Sequence, residues 1–371
     1  MKYTCKIVYV IIPFILLLGG CAPANRINAV ENELQGSSMK PLGRFAVTEN
    51  GALELISSAV HFGFSFYGKQ CWITTHIDDA NGHNYLQYEL DAVDQGRVRI
   101  EGNGNQPVLI KAASGGKHTV WVYKATEAHT GPIFVDKVSG KQILPLNIPD
   151  QPLIEFIGNS ITCGAAADPS EVPCGTGVYH DQHNAYGAYG PRVARKLGLN
   201  YILSSVSGIG VYRNWNSDGP TMPELYTKTD FQSGSKRLWD FSINHPVIVS
   251  IALGTNDYSN GDGKKERRPF DSARFVDQYI GFVKTVKSKY PLAQIALLSS
   301  PMLNGDRRII LQNCITAVKD SIDRMYPKDR PVATFFFRPM QTRGCSGHPN
   351  LDDHAILSDE LTPFFRQLLA L

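Results

Sequence analysis

The rhythm of apolar and polar positions changes once along the chain, near residue 148. Between about 41 and 140 the apolar residues fall in short runs: AVHFGFSFYG, CWITTHID, NYLQYELD, RVRIEG, QPVLIKAA and HTVWVYKAT. Some of these alternate and others are continuous, and Gly, Asn and Asp separate them. Period-two alternation punctuated by turn residues predicts strands, and no helical period interrupts it. A β-sandwich over 41–148 is expected. The proline-rich stretch KQILPLNIPDQP then reads as a crossing between domains.

Beyond it, buried-type runs recur at 153–158 (LIEFIG), 201–206 (YILSSV), 247–253 (VIVSIAL), 295–300 (IALLSS) and 332–337 (VATFFF). Helical patterns separate them at 185–198, 271–289, 307–325 and 353–370. Alternating strand and helix predicts an α/β domain over 149–371, three layers with a parallel sheet covered on both faces. Ligands of such sheets bind at the carboxyl ends of the strands. A chain of 371 residues exceeds one small core, which agrees with two domains.

The N-terminus carries a different signal. Lys2 and Lys6 precede the apolar run IVYVIIPFILLLGG, which is too short and wrongly flanked for a spanning helix. Residues 1–20 are therefore expected to be a signal peptide. Leu18-Gly19-Gly20-Cys21 resembles a bacterial lipobox, which implies lipid attachment to Cys21. The protein would then be an exported lipoprotein, anchored to the membrane of the cell envelope through its lipid alone. Residues 21–40 are polar and read as a flexible spacer. Export into an oxidising compartment bears on the cysteines. Without Cys5 and Cys21 five remain, an odd number, so at least one is unpaired. Cys163 and Cys174 flank one loop and are a candidate pair.

Thirty-seven basic residues against thirty-four acidic ones leave a net charge of +3, which gives no sign of a nucleic-acid partner. The dense cluster Lys264-Lys265-Glu266-Arg267-Arg268 reads as a solvated loop.

Chemistry concentrates after the strands of the second domain. Gly158-Asn159-Ser160-Ile161-Thr162 follows the first, Ser207-Gly208-Ile209-Gly210 the second, and Gly254-Thr255-Asn256-Asp257 the third. His348 lies after the last strand and before the last helix. A serine at a strand end exposes a nucleophile, and a glycine admits close backbone approach to a developing oxyanion. An asparagine adds a side-chain donor, and a histidine takes and returns the proton. Taken alone, Ser160 would read as a helix cap; the four motifs in order argue for catalysis.

This set resembles the SGNH hydrolase superfamily, with Ser160, Gly208, Asn256 and His348 at its hallmark positions. FIGNSITCG, SGIGVYRN, GTND and HPN further resemble carbohydrate esterase family two, as does the β-rich domain in front, a jelly roll in that family. The resemblance implies an esterase that removes acetyl groups from carbohydrate, such as xylan, glucomannan or their oligosaccharides. Ser160 and His348 would be catalytic, with Ser160, Gly208 and Asn256 as the oxyanion hole and Gly210 as the alternative glycine. It implies no metal and no organic cofactor. A lipase-like or thioester hydrolase of the same superfamily is the rival enzyme. A glycan-binding lipoprotein with a silent site is the rival of another class.

Two departures stand out. Asn159 occupies a position that is often Asp. Cys345, Ser346 and Gly347 supply no carboxylate ahead of His348. Some family members use a backbone carbonyl instead, which implies a Ser–His dyad. Asp352 and Asp353 are close in sequence but open the last helix, where they suit its dipole. Asp257 reads as a structural hydrogen-bonder. His180 and His183 in YHDQH are weak metal candidates. Tyr212 and Trp215 are candidates for the substrate rim, with core packing an equal reading for Tyr212.

Overall fold

The structure, a computed structural model, describes residues 1–2, 31–102, 107–264 and 266–370. Residues 3–30, which hold the rest of the leader and Cys21, lie outside the described residues.

Among the described residues, nine strands form the first domain: β1 (Glu31–Gln35), β2 (Phe45–Val47), β3 (Leu53–Leu55), β4 (His61–His76), β5 (His83–Leu90), β6 (Val93–Glu101), β7 (Val108–Lys111), β8 (Lys117–Lys124) and β9 (Ile133–Pro145). All pair antiparallel, in the order β2-β3-β9-β4-β8-β5-β6, with β1 on β9 and β7 on β4. The long β4 changes partner along its length. Its first half pairs with β8 and its second with β7, and bulges against β9 accommodate the change. Phe62, Phe64 and Phe66 alternate along it into the domain core, with Ile73, Val120, Val135 and Val138. The opposite face is covered too: His61 lies against Tyr201 of the second domain, ring centroids 5.0 Å apart.

One expectation fails here. The stretch 31–38 does not continue a spacer; β1 pairs with β9, and Asn32 exchanges side-chain hydrogen bonds with the backbone of Ile143. Polar side chains suit a strand whose register is held by backbone pairing, so polarity alone misleads here.

The second domain holds β10 (Leu153–Gly158), β11 (Asn200–Ser205), β12 (Ile248–Ala252), β13 (Gln294–Leu298) and β14 (Ala333–Phe335). They are all parallel, in the order β11-β10-β12-β13-β14. The helices are α1 (Ser160–Cys163), α2 (Tyr189–Leu197), α3 (Met222–Leu225), α4 (Thr255–Tyr258), α5 (Ser272–Lys289), α6 (Gly305–Met325) and α7 (Leu351–Leu369). Separate buried clusters on the two faces of the sheet complete a three-layer α/β/α architecture. The strand order reverses between β10 and β12, and in such sheets a crevice opens there beyond the carboxyl ends.

The domains are joined through buried polar groups as well as apolar ones. Arg44 of the first domain is fully buried and lies 4.0 Å from the equally buried Glu155 of β10. Its guanidinium stacks over Phe231 and donates to the carbonyl of Lys228. Glu155 also accepts from Ser204 and Tyr226. Removing one partner of such a pair would cost about 3–5 kcal/mol, because the other charge stays buried.

Candidate active site

Each motif is set by the strand before it. β10 ends at Gly158, and α1 starts at Ser160. Asn159 caps this short helix, its Oδ1 accepting from the Ile161 N–H at 3.1 Å. As the first helical residue, Ser160 has an N–H without an intrahelical acceptor, which leaves it available to an oxyanion.

After β11 the chain turns through Gly208, whose φ of +74° is a conformation that residues with a Cβ resist. Gly210 serves otherwise. Its N–H donates to Asn214 Oδ1 at 3.1 Å, and a Cβ there would collide with the Arg213 carbonyl. Of the two, Gly208 is the one that faces the cleft.

After β12, Asn256 is buried and donates one amide hydrogen to the Ile209 carbonyl at 2.7 Å. The second amide hydrogen remains for a ligand. The neighbouring Asp257 accepts backbone N–H groups of Val211, Tyr212 and Arg213. Burial raises its carboxyl to about 6, and those donors act against the rise. It therefore ties the 211–213 loop to the turn that follows β12.

His348 follows a single turn, Cys345–Gly347, that precedes α7. Its Nε2 lies 2.9 Å from Ser160 Oγ and its Nδ1 3.2 Å from the Ser346 carbonyl oxygen. Nδ1–H donates to that carbonyl, which leaves the Nε2 lone pair to accept from the serine hydroxyl. Burial lowers the imidazole pKa below its ordinary 6.5, and the Ser346 carbonyl opposes this. The downstream carboxylates are committed elsewhere. Asp353 forms a reciprocal cap with Asn350 and accepts from the Arg343 backbone and guanidinium. Asp352 is exposed and lies 4.0 Å from Arg343.

A cleft of about 430 Å³ opens beside Gly208. Trp215, Asn216, Phe231 and Gln232 line it, and His129 reaches it from the first domain. Trp215 is thus at a rim. Tyr212 is not: its ring packs on Phe270 and Phe275, and its hydroxyl accepts from the Asp271 N–H. The grip of Asp257 on the 211–213 backbone turns this side chain toward α5.

One further expectation is corrected. Cys174 pairs with Cys345, not with Cys163. Cys163 is a buried thiol, 3.2 Å from the Ser205 hydroxyl. His180 and His183 point to different partners. His183 is fully buried and bonds Glu127 at 3.3 Å, and His180 bonds the carbonyl of His83 at 3.0 Å. Sequence reasoning missed Tyr179, 6.4 Å from His348 ring to ring, and Glu127, which enters from the other domain.

The chain can now be compared with known proteins. Residues 154–360 match the family model of the GDSL-like lipases/acylhydrolases, and this chain belongs to that family of ester hydrolases. Residues 41–146 match the carbohydrate esterase 2 N-terminal model. An acetylxylan esterase/glucomannan deacetylase from Cellvibrio japonicus is 25% identical over 332 residues, 88% of each chain. A family two carbohydrate esterase from Clostridium thermocellum, solved with cellohexaose, is 26% identical with a TM-score of 0.76, covering 91% of this chain and 99% of that one. The Cellvibrio japonicus family two structure shares the fold, with 24% identity, a TM-score of 0.80, and 92% and 99% coverage.

Proposed function

We propose that the enzyme removes O-acetyl groups from plant-type polysaccharides such as acetylated xylan or glucomannan, or from oligosaccharides derived from them. The observation that carries this is the contact of His348 Nε2 with Ser160 Oγ at 2.9 Å, with Nδ1 held by a carbonyl. Ser160 Oγ attacks the acetyl carbonyl while His348 takes its proton. The Ser160 and Gly208 N–H groups and the Asn256 amide stabilise the tetrahedral oxyanion. His348 then returns the proton to the departing sugar hydroxyl, leaving an acetyl-serine. Water, activated by the same imidazole, attacks that ester; acetate departs and the serine is restored. The cleft walls favour sugar over a long acyl chain, since Asn216, Ser217 and Gln232 place polar groups beside the exposed Trp215. An aromatic face with flanking amides suits a pyranose ring.

The test is acetate release from a panel of acetylated glycans, run beside nitrophenyl esters of short and long chains. Acetylated glycans and short esters should turn over, and Ser160→Ala should lose at least about a thousandfold. Preference for long chains would favour a lipase-like enzyme. Absence of turnover would favour a glycan-binding protein. The relatives named above, an acetylxylan esterase/glucomannan deacetylase and an esterase crystallised with cellohexaose, support the substrate class. We also propose that Cys21 carries lipid that tethers the enzyme to the cell envelope, on the strength of the motif around it.

A further inference from the structure

We propose that Glu127, contributed by the first domain, is a positioning residue that sets the oxyanion loop of the second domain through the Ser207 N–H. This rests on reading Gly208 as an oxyanion donor. Glu127 is 3% exposed and lies between β8 and β9, more than thirty residues from any hallmark residue in sequence. Its Oε2 accepts from the Ser207 N–H at 2.6 Å, and Ser207 immediately precedes Gly208. The same oxygen lies 3.5 Å from the thiol of Cys163, the last residue of the short helix that Ser160 begins. Its other oxygen lies 3.3 Å from His183 Nε2. One carboxylate therefore touches both the oxyanion loop and the nucleophile's helix.

The cost of placing a carboxylate there argues for a purpose. An ionised carboxylate in the interior is unfavourable unless donors surround it. Burial would raise its pKa, yet the His183 and Ser207 hydrogen bonds hold it at about 2, so it stays charged across the working range. Its backbone is pinned as firmly as its side chain. The Glu127 carbonyl accepts from Nζ of the fully buried Lys124 at 2.5 Å and from the Thr130 hydroxyl at 2.8 Å. In the same loop, the Ala125 carbonyl accepts the Ala185 N–H from the second domain at 2.8 Å.

The effect on chemistry follows from distance. An oxyanion hole works because its donors already stand where the charge develops, and loss of one donor costs about a hundred- to a thousandfold. The Gly208 N–H belongs to the peptide that starts at Ser207. Glycine restrains its own backbone poorly, so the position of this N–H depends on what holds Ser207. A charged acceptor holds a neighbouring N–H more tightly than a neutral one.

The test uses the whole enzyme with Glu127→Ala, Glu127→Asp and Glu127→Gln. Functional sites are counted by stoichiometric phosphonylation of Ser160 with an organophosphonate, and kcat is expressed per counted site. Glu127→Ala should lower kcat per site by about ten- to a hundredfold with KM within about threefold, and should slow phosphonylation in step. Glu127→Asp, one methylene too short, should behave similarly. Glu127→Gln keeps an oxygen for Ser207 but sets an amide donor against the His183 Nε2–H, so it should recover only part of the loss. A purely structural role would reduce the number of sites and leave kcat per site unchanged, and that result overturns the proposal. If the alanine variant does not fold, the aspartate variant decides on the same criterion. Turnover by Ser160→Ala would instead sink the esterase mechanism; an inactive Ser160→Ala beside normal turnover per site in the Glu127 variants sinks this proposal alone.

Discussion

The Nδ1 atom of His348 lies 3.2 Å from the carbonyl oxygen of Ser346, two residues earlier in the chain. A carbonyl fixes the tautomer as a carboxylate would, but it lacks the charge that stabilises imidazolium. In serine proteases, replacing the orienting Asp by Asn costs about ten-thousandfold. An acetyl ester has a far better leaving group than an amide, so weaker assistance can suffice. Asp352→Asn and Asp353→Asn should therefore each change kcat by less than about tenfold. Asp353→Asn should still destabilise the fold by about 1 kcal/mol or more, since it weakens the cap of α7 and the pairing with Arg343. A thousandfold loss of kcat in either folded variant would show that a downstream carboxylate completes a triad.

The pH dependence has a definite sign. General-base action needs neutral imidazole, and burial lowers the pKa of His348 below 6.5. The acid limb of kcat/KM, which reports the free enzyme, should therefore have its midpoint below 6.5 and level off above it. At pH 7 the base is already neutral. A midpoint at or above 7, measured with a non-ionising acetyl ester, would contradict this placement.

The disulfide between Cys174 and Cys345 ties a distant loop to the turn that carries the orienting carbonyl. It closes a span of 171 residues. Cys174→Ala should cost about 2–4 kcal/mol of stability. It should also lower kcat more than it raises KM, because the Ser346 carbonyl is held by the same turn. Thermal unfolding and initial rates, with and without reductant, check both effects. Unchanged kcat after verified reduction would show that the turn holds its shape unaided.

Cys21 offers a test independent of the fold. Cys21→Ser should abolish incorporation of radiolabelled palmitate in a bacterial host and release the enzyme from membranes. Equal labelling of the two forms would refute the anchor.

Much of the second domain was legible in the chain. The strands β10–β14 and helices α2, α5, α6 and α7 fall within a few residues of the runs that predict them, because a buried parallel strand needs continuous apolar residues and a helix needs its own period. Three of the candidate site residues were placeable for a related reason: Ser160, Gly208 and Asn256 each lie within four residues of the end of a strand, whereas His348 comes well after β14 and just ahead of α7. What depends on distant parts of the chain was not readable. Cys174 chose Cys345 over the nearer Cys163, since only the fold decides which thiols face each other. Tyr212 turned inward because Asp257 grips its backbone, and residues 31–35 became a strand because β9 offered an edge. Glu127 looks like any acid in a loop until two domains close over it. The carbonyl that orients His348 is hidden for another reason, although Ser346 lies only two residues away. Every residue has one, so its identity cannot appear in a sequence; only the path of the backbone through Ser346, at φ +52°, brings that oxygen under the imidazole.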